Sequence, residues 1–385
     1  MSQQHSMPTG QSFPEHQQQQ KLPFVIGYVG NVKKNKQFFE PFVTYCNTLK
    51  KDICSCVEIV IEKSSQNDDN EKNNSDNDYE WIKQQPRVDV LFFKVTDDMV
   101  IEKSDIHAAR RLKNLQYYIH LHEKDGMKVV EPLDVTIRFL DRIEIHNFLE
   151  IQLASSTNVK VPHMYFISEK QNLDKLLLEK SDSISYPLVC KTVAACGKSE
   201  THHMAIVFNN EQFKKVVYGD DRNSMQHTVS TPLIAQQFVN HNSTLYKIYV
   251  IGERVFYQIK PSLKNFDLNS SQDTENIITF DSQKPFDSHI SDTSIVESSL
   301  KEVSYYASVQ SDHHDFIFKQ VSDQLRKALN VSLFGFDLVK DCREESSSHY
   351  YVVDVNYFPS YKGISREVLF DYIVEYLTQR VEAKE

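Results

Sequence analysis

The chain has 385 residues, and this length predicts two or three domains because a single core rarely organises so many residues. It is 40% hydrophobic and 25% charged, as soluble globular proteins are, and no apolar run approaches the length of a membrane span. The formal net charge of -10 argues against a general nucleic-acid-binding protein, but it allows a local basic pocket for a small polyanion.

The six cysteines and the N-terminal residues 1–22 indicate in which cellular compartment the protein works. Six cysteines are scattered without a disulfide framework, and the spacing of Cys54 and Cys56 matches a zinc ribbon poorly. We interpret the cysteines as free thiols of a protein in a reducing compartment. Residues 1–22 form a Gln-rich tail that has no signal-peptide core and is predicted to be disordered. We therefore expect a cytoplasmic protein that binds neither membranes nor nucleic acids.

Strands alternate with helices in residues 23–131. The segment "FVIGYVG" from Phe24 predicts a buried strand, and apolar residues spaced three and four apart predict a helix from Phe38 to Leu49. The segments "CVEIVIE" and "VDVLFFKV" predict two more strands, separated by a polar, solvated insertion over residues 65–79. This alternation predicts a small α/β domain with a mostly parallel sheet.

Two further domains are predicted, over residues 132–235 and 236–385. The first opens with a long helical pattern, "EPLDVTIRFLDRIEIHNFLEIQL", and a short strand near Val161. Ser168 is predicted to cap the next helix, and strands "YPLVCKTV" and "MAIVF" flank a polar turn. The last domain is rich in β-patterning, with a long, partly mobile loop from Asp267 to about Asp312 and a closing helix after Val368.

The segments "VSLFGFDLVKD" and "HYYVVDVNYF" predict a hairpin that places Asp337 beside Asp354. Strand alternation puts Asp354 and Asn356 on one face with Val352 and Phe358. A carboxylate among apolar neighbours is costly unless it is paired, and two facing carboxylates repel each other unless a cation lies between them. Oxygen ligands suit Mg²⁺, which usually accompanies nucleotide phosphate. Alternatively, lysines or backbone amides satisfy the two carboxylates.

Basic residues lie outside this hairpin. Lys191 ends a β-rich run at a turn, where it can reach phosphate oxygens, although a turn with a single glycine is no Walker A loop. Any single basic residue is a solvated surface charge by default. Lys94 stands out because it ends an apolar strand, at the edge where α/β sheets bind ligands. The other candidates are Lys33, Lys34, Arg142, Lys247 and Lys264.

These residues, in this order, resemble the inositol 1,3,4-trisphosphate 5/6-kinase family, also called inositol-tetrakisphosphate 1-kinases, of the ATP-grasp fold. The resemblance runs from about Gly27 to the final helix. Its strongest segments are "QQFVNHNSTLYKIYVIGE", "KPSLKNF", "VSLFGFDLV" and "VVDVNYFPSYKG". It implies an α/β (α+β) protein of three lobes, with ATP between two β-rich layers of the central and C-terminal domains.

The resemblance also implies roles for individual residues. Arg142 and Lys191 would contact ATP phosphates, and Asp337, Asp354 and Asn356 would bind two Mg²⁺ ions. Lys191, His202 and Asp354 would be catalytic. The rest of the nucleotide site would consist of Gln236, Gln237, Phe238, Val239, Lys247, Ser262 and Ser282. The acceptor would be bound by Lys34, Lys94, His202, Lys247, Asn356 and Ser360.

Three positions depart from the family pattern. Cys196 replaces a histidine, Ser360 replaces a glycine near the acceptor, and Gln283 stands where a serine is expected. These changes bear on selectivity and rate more than on the type of reaction. His203 could take the place of His202, because one residue is inserted in the turn.

The expected function is transfer of the γ-phosphoryl group of ATP to a hydroxyl of an inositol polyphosphate by a monomeric enzyme. The acceptor would be inositol 1,3,4-trisphosphate (5- or 6-position) or inositol 3,4,5,6-tetrakisphosphate (1-position), and phosphate isomerisation could accompany transfer. An ATP-grasp carboxylate ligase and a non-catalytic inositol-phosphate or nucleotide sensor are the alternatives. A ligase would leave the lysines around the acceptor unexplained, and intact magnesium ligands count against a sensor.

Overall fold

The computed structural model of the chain describes residues 23–31, 34–62, 75–156, 158–180, 183–195, 199–219, 229–270, 275–287, 290–292, 294–303, 313–343 and 349–383. The Gln-rich residues 1–22 and Cys196 lie outside these ranges. None of the described helices combines the length and the apolar character that a membrane crossing requires.

The N-terminal lobe has the predicted parallel sheet, in the strand order β2–β1–β3–β4. The strands are β1 (Phe24–Gly30), β2 (Cys54–Glu58), β3 (Val90–Lys94) and β4 (Lys128–Val129). A π-helical turn, Asn35–Phe39, continues into helix α1, and the helices are α1 (Glu40–Leu49), α2 (Ser75–Ile82), α3 (Thr96–Ile101) and α4 (Ile106–Glu123). Parallel strands direct their carboxyl ends to one edge, where Lys94 ends β3.

Helix α2 corrects the predicted insertion. Residues 65–74 lie outside the described residues, but 75–79 begin a helix rather than belonging to a solvated loop. The ring of Tyr79 lies 4.3 Å from that of Tyr117 on α4, and Ile82 is fully buried. The polar composition conceals this helix because its apolar anchors come only at its end.

A linker and the central lobe follow. The linker has α5 (Leu133–Thr136), a 3₁₀ turn (Ile137–Leu140), α6 (Arg142–Leu153) and β5 (Val159–Lys160). The central elements are β6 (Met164–Ile167), α7 (Lys170–Lys180), β7 (Leu188–Thr192), a 3₁₀ turn (Ser199–His202), β8 (His203–Val207), α8 (Asn210–Tyr218) and β9 (Leu233–Gln237). The long helical pattern predicted from Glu131 is interrupted, because Asp141 has extended backbone and caps α6, which starts a new helix.

The C-terminal lobe is built on a sheet in the order β13–β11–β10–β14–β15–β5. Its elements are β10 (Thr244–Ile251), β11 (Arg254–Pro261), β12 (Ile278–Asp281), β13 (Lys301–Glu302), α9 (His313–Leu329), β14 (Leu333–Lys340), β15 (Tyr350–Tyr357) and α10 (Arg366–Glu382). The predicted hairpin is present as β14–β15. The predicted loop from Asp267 to Asp312 is corrected, because β12 and β13 form within it.

The central sheet has the order β12–β8–β7–β9–β6, so one of its strands comes from late in the chain. Strand β12 lies in the range predicted for the C-terminal domain, yet it pairs with β8. Strand β5 lies in the range predicted for the central domain, yet it pairs with β15. The proposed boundaries at 131/132 and 235/236 therefore divide the chain by sequence only. Each of the two sheets on either side of the second boundary takes one strand from the other side of it.

The N-terminal and C-terminal lobes share one hydrophobic core. Aromatic rings from both lobes meet in it, with Phe38 5.0 Å from Phe358 and 5.4 Å from Phe370. Glu131, which is 2% exposed, adds a polar link by accepting hydrogen bonds from the backbone N–H groups of Ser332 (2.7 Å) and Leu333 (3.0 Å). The helices of the central lobe pack on a separate core. Two lobes thus form one body that faces the central lobe.

Candidate active site

A β-bulge in β15 decides where the side chain of Asp354 lies. Asp337 on β14 pairs with Asp354, but the next residue, Leu338, pairs with Val352. Val353 is therefore an extra residue without a partner on β14, which is the arrangement of a bulge. The bulge turns Asp354 to the face of the sheet opposite to that of Val352.

Burial along β15 follows the bulge. The core-facing residues are spaced by two, then three, then two: Tyr350, Val352, Val355 and Tyr357. Asp354 and Asn356 are half-buried on the other face, which looks towards the central lobe. The prediction that Val352 shares their face is wrong, because the extra residue shifts the alternation by one.

Three charged side chains form a row across neighbouring strands. Lys247 on β10 pairs with Asp337 on β14, which pairs with Asp354 on β15. The ammonium of Lys247 lies 2.9 Å from Oδ1 of Asp337. The charge of Asp337 raises the pKa of Lys247 above its usual range despite burial. One carboxylate of the predicted pair thus has a lysine as its partner.

The second carboxylate, Asp354, accepts a hydrogen bond of 2.9 Å from the side-chain amide of Asn356. Burial favours the neutral acid, but the positive charges of Lys191 and Arg142 outweigh it, so the pKa of Asp354 lies below its usual value. Asp354 is thus an anion that faces Lys191 on the opposite sheet and Arg142 on α6.

The donor set fits a magnesium ion. Asp337 and Asp354 offer carboxylate oxygens on paired residues, and Asn356 adds an amide oxygen on the same face. Within the described ranges, no group of three or more His, Cys, Asp and Glu side chains is arranged to hold a metal. An ion at this pair would therefore complete its shell with oxygens from phosphate or water, as Mg²⁺ does in nucleotide sites.

Lys191 approaches this face from the central sheet. It lies on β7 and is 6% exposed, and its ammonium donates a hydrogen bond of 3.1 Å to the carbonyl of Val353. The bulge that turns Asp354 outward thus also supplies the carbonyl that contacts Lys191. Burial lowers the pKa of Lys191 to about 8, against the attraction of Asp354.

Arg142 occupies the first position of α6, where Asp141 caps the helix by accepting from the N–H groups of Ile143 and Glu144. Its guanidinium donates to backbone carbonyls that end or follow β7, at 2.7 Å to Thr192 and 2.6 Å to Ala194. Arg142 therefore orders the chain beyond β7 as well as adding positive charge near Lys191 and Asp354.

The residues predicted for the adenine edge begin with the last two residues of β9. Gln236 is 6% exposed and lines a cavity between the two sheets, together with Lys191 and Asp354. Gln237 pairs with Leu188 of the core under the central helices, so its side chain lies on the other face of the sheet. Only the backbone of Gln237 can belong to this edge.

The segment after β9 is fixed by side chains. Phe238 and Val239 are buried, and the carbonyl of Val239 lies 2.6 Å from Nδ1 of His241. The other ring nitrogen of His241 lies 2.9 Å from the hydroxyl of Ser262. The structure thus brings Ser262 to the predicted nucleotide edge through His241.

Two lysines of the N-terminal lobe reach the end of β15. The ammonium of Lys94 donates a hydrogen bond of 2.7 Å to the carbonyl of Tyr357 and lies 4.6 Å from the centre of its ring. The ammonium of Lys34 lies 4.4 Å from the ring of Phe358. Both cations therefore meet the chain directly after Asn356. The exposed Ser360 lies in the loop that follows.

His202 ends a 3₁₀ turn and is half-buried. Burial and the charge of Arg142 lower its pKa, against Asp281 and Asp354. Its Nε2 lies 2.9 Å from the side-chain nitrogen of Gln283, and the backbone N–H of Ser282 donates to its carbonyl at 3.0 Å. Gln283 thus fills a structural position beside His202, and the backbone of Ser282 contacts the same residue.

Asn31 is a positioning residue that the sequence reasoning missed. Its side-chain oxygen accepts a hydrogen bond of 2.7 Å from the backbone N–H of Lys34, and its amide donates to Asp97. It thereby holds the backbone of Lys34 at the end of β1. The available signal was a polar residue directly after β1, at the carboxyl edge of a parallel sheet.

The fold and the cleft define the class of protein first. Two mostly antiparallel sheets face each other, with a lysine on one and a carboxylate pair on the other. Two solved ATP-grasp ligases align with 92% and 93% of this chain at a TM-score of 0.51: PsnB complexed with a minimal precursor, and a RiPP-associated ligase of Chryseobacterium gregarium in complex with ADP and a leader and core peptide. The alignments cover 100% of the PsnB chain and 97% of the Chryseobacterium gregarium chain. With 11% sequence identity, they establish the ATP-grasp fold alone.

Sequence comparison then gives the family. Residues 153–377 match the model of the inositol 1,3,4-trisphosphate 5/6-kinase ATP-grasp domain, and the chain belongs to this family. An inositol-tetrakisphosphate 1-kinase of Xenopus laevis is 30% identical over 287 residues, which are 74% of this chain and 65% of that protein. One of Danio rerio is 25% identical over 306 residues, covering 79% and 70% of the two chains. The chain spans 52% of a related rice protein.

Proposed function

We propose that this protein is an ATP-dependent kinase that transfers the γ-phosphoryl group to a hydroxyl of an inositol polyphosphate. The observation that carries the proposal is the meeting of Lys34 and Lys94 with the residues directly after Asn356. Acceptor-binding cations and the carboxylate pair thereby adjoin one another at the end of a single strand. The acceptors that we propose are inositol 1,3,4-trisphosphate, at its 5- or 6-hydroxyl, and inositol 3,4,5,6-tetrakisphosphate, at its 1-hydroxyl.

The nucleotide would lie between the two sheets. Gln236 and the backbone from Gln237 to Val239 would line the adenine and ribose, with Ser262 nearby. Lys191 would exchange the carbonyl of Val353 for phosphate oxygens, which suit an ammonium better because they carry charge. Arg142 adds fixed positive charge while it holds the chain beyond β7. Negative charge that develops during transfer would meet groups already oriented.

Asp337, Asp354 and Asn356 would hold Mg²⁺, and we propose two ions. When bound, magnesium neutralises phosphate charge and orients the γ-phosphoryl group. Lys247 forms an ion pair of 2.9 Å with Asp337. This pairing limits the repulsion between the two aspartates before nucleotide arrives.

The acceptor would lie against the N-terminal lobe. Lys34, Lys94 and Lys247 would bind its phosphates, and Ser360 would touch it from the loop after β15. His202, whose lowered pKa favours the neutral ring, would donate or accept a hydrogen bond rather than supply charge. Phosphoryl transfer has a loose transition state, so positioning of the hydroxyl matters more than a strong base.

We also propose that the chain acts as a monomer in the cytoplasm. The described cysteines are all free, and four of the five are buried, as suits a reducing compartment.

Acceptor-dependent ATP consumption tests the proposed reaction. The full chain is incubated with ATP, Mg²⁺ and a panel of inositol phosphates, and ADP and the product isomers are quantified. We expect ADP to form only with an acceptor and in equal amount to a phosphorylated inositol phosphate. ATP turnover that requires a carboxylate and an amine would indicate a ligase. Binding of ATP and inositol phosphates without any product would indicate a sensor.

A further inference from the structure

A cavity between α6 and the two facing sheets is lined by a histidine that has no part in the proposed function. His146 lines this cavity with Lys191, Gln236 and Asp354. Apolar side chains form the remaining walls, among them Ile234 from β9 and Leu149 from α6. The cavity therefore combines apolar walls with a few polar groups, the composition typical of small-molecule sites.

His146 is buried without a hydrogen bond. It is 7% exposed, and no hydrogen bond of its ring occurs among the described residues. Its ring nitrogens are not among the fully enclosed polar atoms that lack a partner, so they are open to a ligand or to water. The ring borders a cavity of about 30 Å³, which has room for roughly one water, so a nucleotide that contacts the ring would extend from it into the cleft between the sheets. A ligand in the cavity would satisfy it.

Two other polar side chains line the same cavity. The side chain of Gln236 is 6% exposed and lines the cavity, and Nε of Arg142 is buried without a partner among the described residues. Arg142 and His146 are four residues apart on α6, so they lie on one face, about 6 Å apart along the axis.

We propose that His146 is a further nucleotide-binding residue, which contacts the base or ribose of ATP and contributes to the choice of nucleotide. This inference rests on the proposed function. The ring can donate through one nitrogen and accept through the other, as the edge of a purine requires. Gln236 offers the same pair of functions from β9.

The charges around His146 favour its neutral form, which is the form that this role needs. Burial lowers its pKa, Lys191 and His163 act in the same direction, and Glu150 opposes them. A neutral ring beside Lys191 and Arg142 binds an uncharged base and leaves the phosphates to the two cations. An inositol polyphosphate, which is charged all round, would require cations instead.

Binding measurements with and without the base test the proposal. We would measure the affinity of the full protein for ATP and for inorganic tripolyphosphate, which has the phosphates but no nucleoside. Loss of one or two hydrogen bonds in His146→Leu should weaken ATP binding about fivefold to thirtyfold. Tripolyphosphate binding should stay within about twofold, and His146→Gln should recover part of the ATP affinity. His120→Phe, at an exposed histidine of α4, is the control.

Each outcome separates the inference from the proposed function. If the parent binds ATP and His146→Leu binds it equally well, the inference is wrong and the kinase proposal stands. If both ligands weaken to the same degree, the role of His146 is structural. If the parent binds neither ligand, the proposed function fails first. Should His146→Leu not fold, the ATP-to-tripolyphosphate ratio of His146→Gln and its preference between ATP and GTP decide; ratios equal to the parent's would overturn the inference.

Discussion

At the scale of residues, the carboxylate of Asp354 depends on Val353, a side chain with no chemistry of its own. The extra residue turns Asp354 towards the central lobe and directs its own carbonyl to Lys191. Because both effects arise from one irregularity, the metal-binding face and the phosphate-binding lysine are placed relative to each other by the backbone.

Asp354→Asn should reduce turnover at least about a thousandfold, because the change removes ligand charge in a site that relies on electrostatic stabilisation. The melting temperature should change little, because the shape is kept. Steady-state ADP formation and thermal unfolding measure the two quantities. Asp52→Asn, at an exposed aspartate, is the matched control. Activity of Asp354→Asn within a few-fold of the parent would remove the metal assignment.

Lys94→Ala should raise the KM for the inositol phosphate about tenfold or more, since a charge-assisted contact contributes roughly 1.5–3 kcal/mol. The KM for ATP should move little, because Lys94 contacts the end of β15 and lies in the N-terminal lobe. Raised salt should weaken acceptor binding in the parent more than in the variant. Lys175→Ala, at a lysine whose side chain is 75% exposed, serves as control. An unchanged acceptor KM would contradict the site assignment.

At the scale of elements, Gly335 lets β14 pass close to its neighbours. A Cβ at this position would lie 2.9 Å from the carbonyl oxygen of Ile248, 3.1 Å from Pro359 and 3.3 Å from the ring of Tyr249. Real Cβ atoms rarely come so close to backbone, so the strand or the loop after β15 must move. That loop carries Ser360, which we assign to the acceptor.

Gly335→Ala should therefore destabilise the protein by roughly 1–3 kcal/mol and raise the acceptor KM more than the ATP KM. Gly126→Ala is a control of the same chemistry. Gly126 has a φ of +94° but open space around it, so its substitution should cost stability without affecting either KM. Equal kinetic effects of the two changes would show that loss of stability alone explains them.

Helix α2 gives a second test with a sharp boundary. Deletion of residues 65–74 should leave the melting temperature almost unchanged, because so polar a tract buries little apolar surface. Extending the deletion to residue 79 removes the start of α2 and the contact between Tyr79 and Tyr117, and should lower the melting temperature by several degrees. Equal melting temperatures of the two deletions would show that α2 contributes nothing to the lobe.

The sequence predicted most elements of this fold but not their irregularities. Alternation of apolar residues identifies the β14–β15 hairpin because side chains in a strand have a period of two. The bulge escapes the same reasoning, because in "YYVVDV" either valine can be the extra residue. The cleft escapes it too: Lys34, Lys94 and Asn356 are distant in the chain, and only the family resemblance grouped them. The partner of Asp337 was foreseen as an alternative, a lysine.

At the scale of the whole molecule, Glu131 joins the lobes through a buried carboxyl group. Burial raises its pKa from 4.5 to about 8, although two backbone N–H groups favour the anion. The folded state therefore holds a proton that the unfolded state releases between pH 4.5 and 8. The contribution of Glu131 to folding stability is therefore fully present below about pH 4.5 and is lost as the pH rises through about 8.

Glu131→Gln should relieve this pH dependence, because an amide accepts the same hydrogen bonds without titrating. We expect the variant to match the parent in stability at pH 5 and to exceed it at pH 9 in denaturant titrations. Glu102→Gln, at an exposed position, should follow the parent at both values. A variant less stable than the parent at pH 9 would show that the folded protein stabilises the Glu131 anion and that burial does not raise its pKa.

The shared aromatic core also has a consequence during synthesis. The side chains of Tyr45 and Asp371 form a hydrogen bond although 326 residues separate them. Phe38 and Phe370, whose rings are in contact, are separated by a similar length of chain. A ribosome that adds about 5–20 residues per second needs roughly 15–65 s to cross that interval. The first lobe thus leaves the ribosome with its aromatic face uncovered, and nascent chains with such faces associate. The yield of folded protein then depends on how well chaperones shield that face until α10 is made.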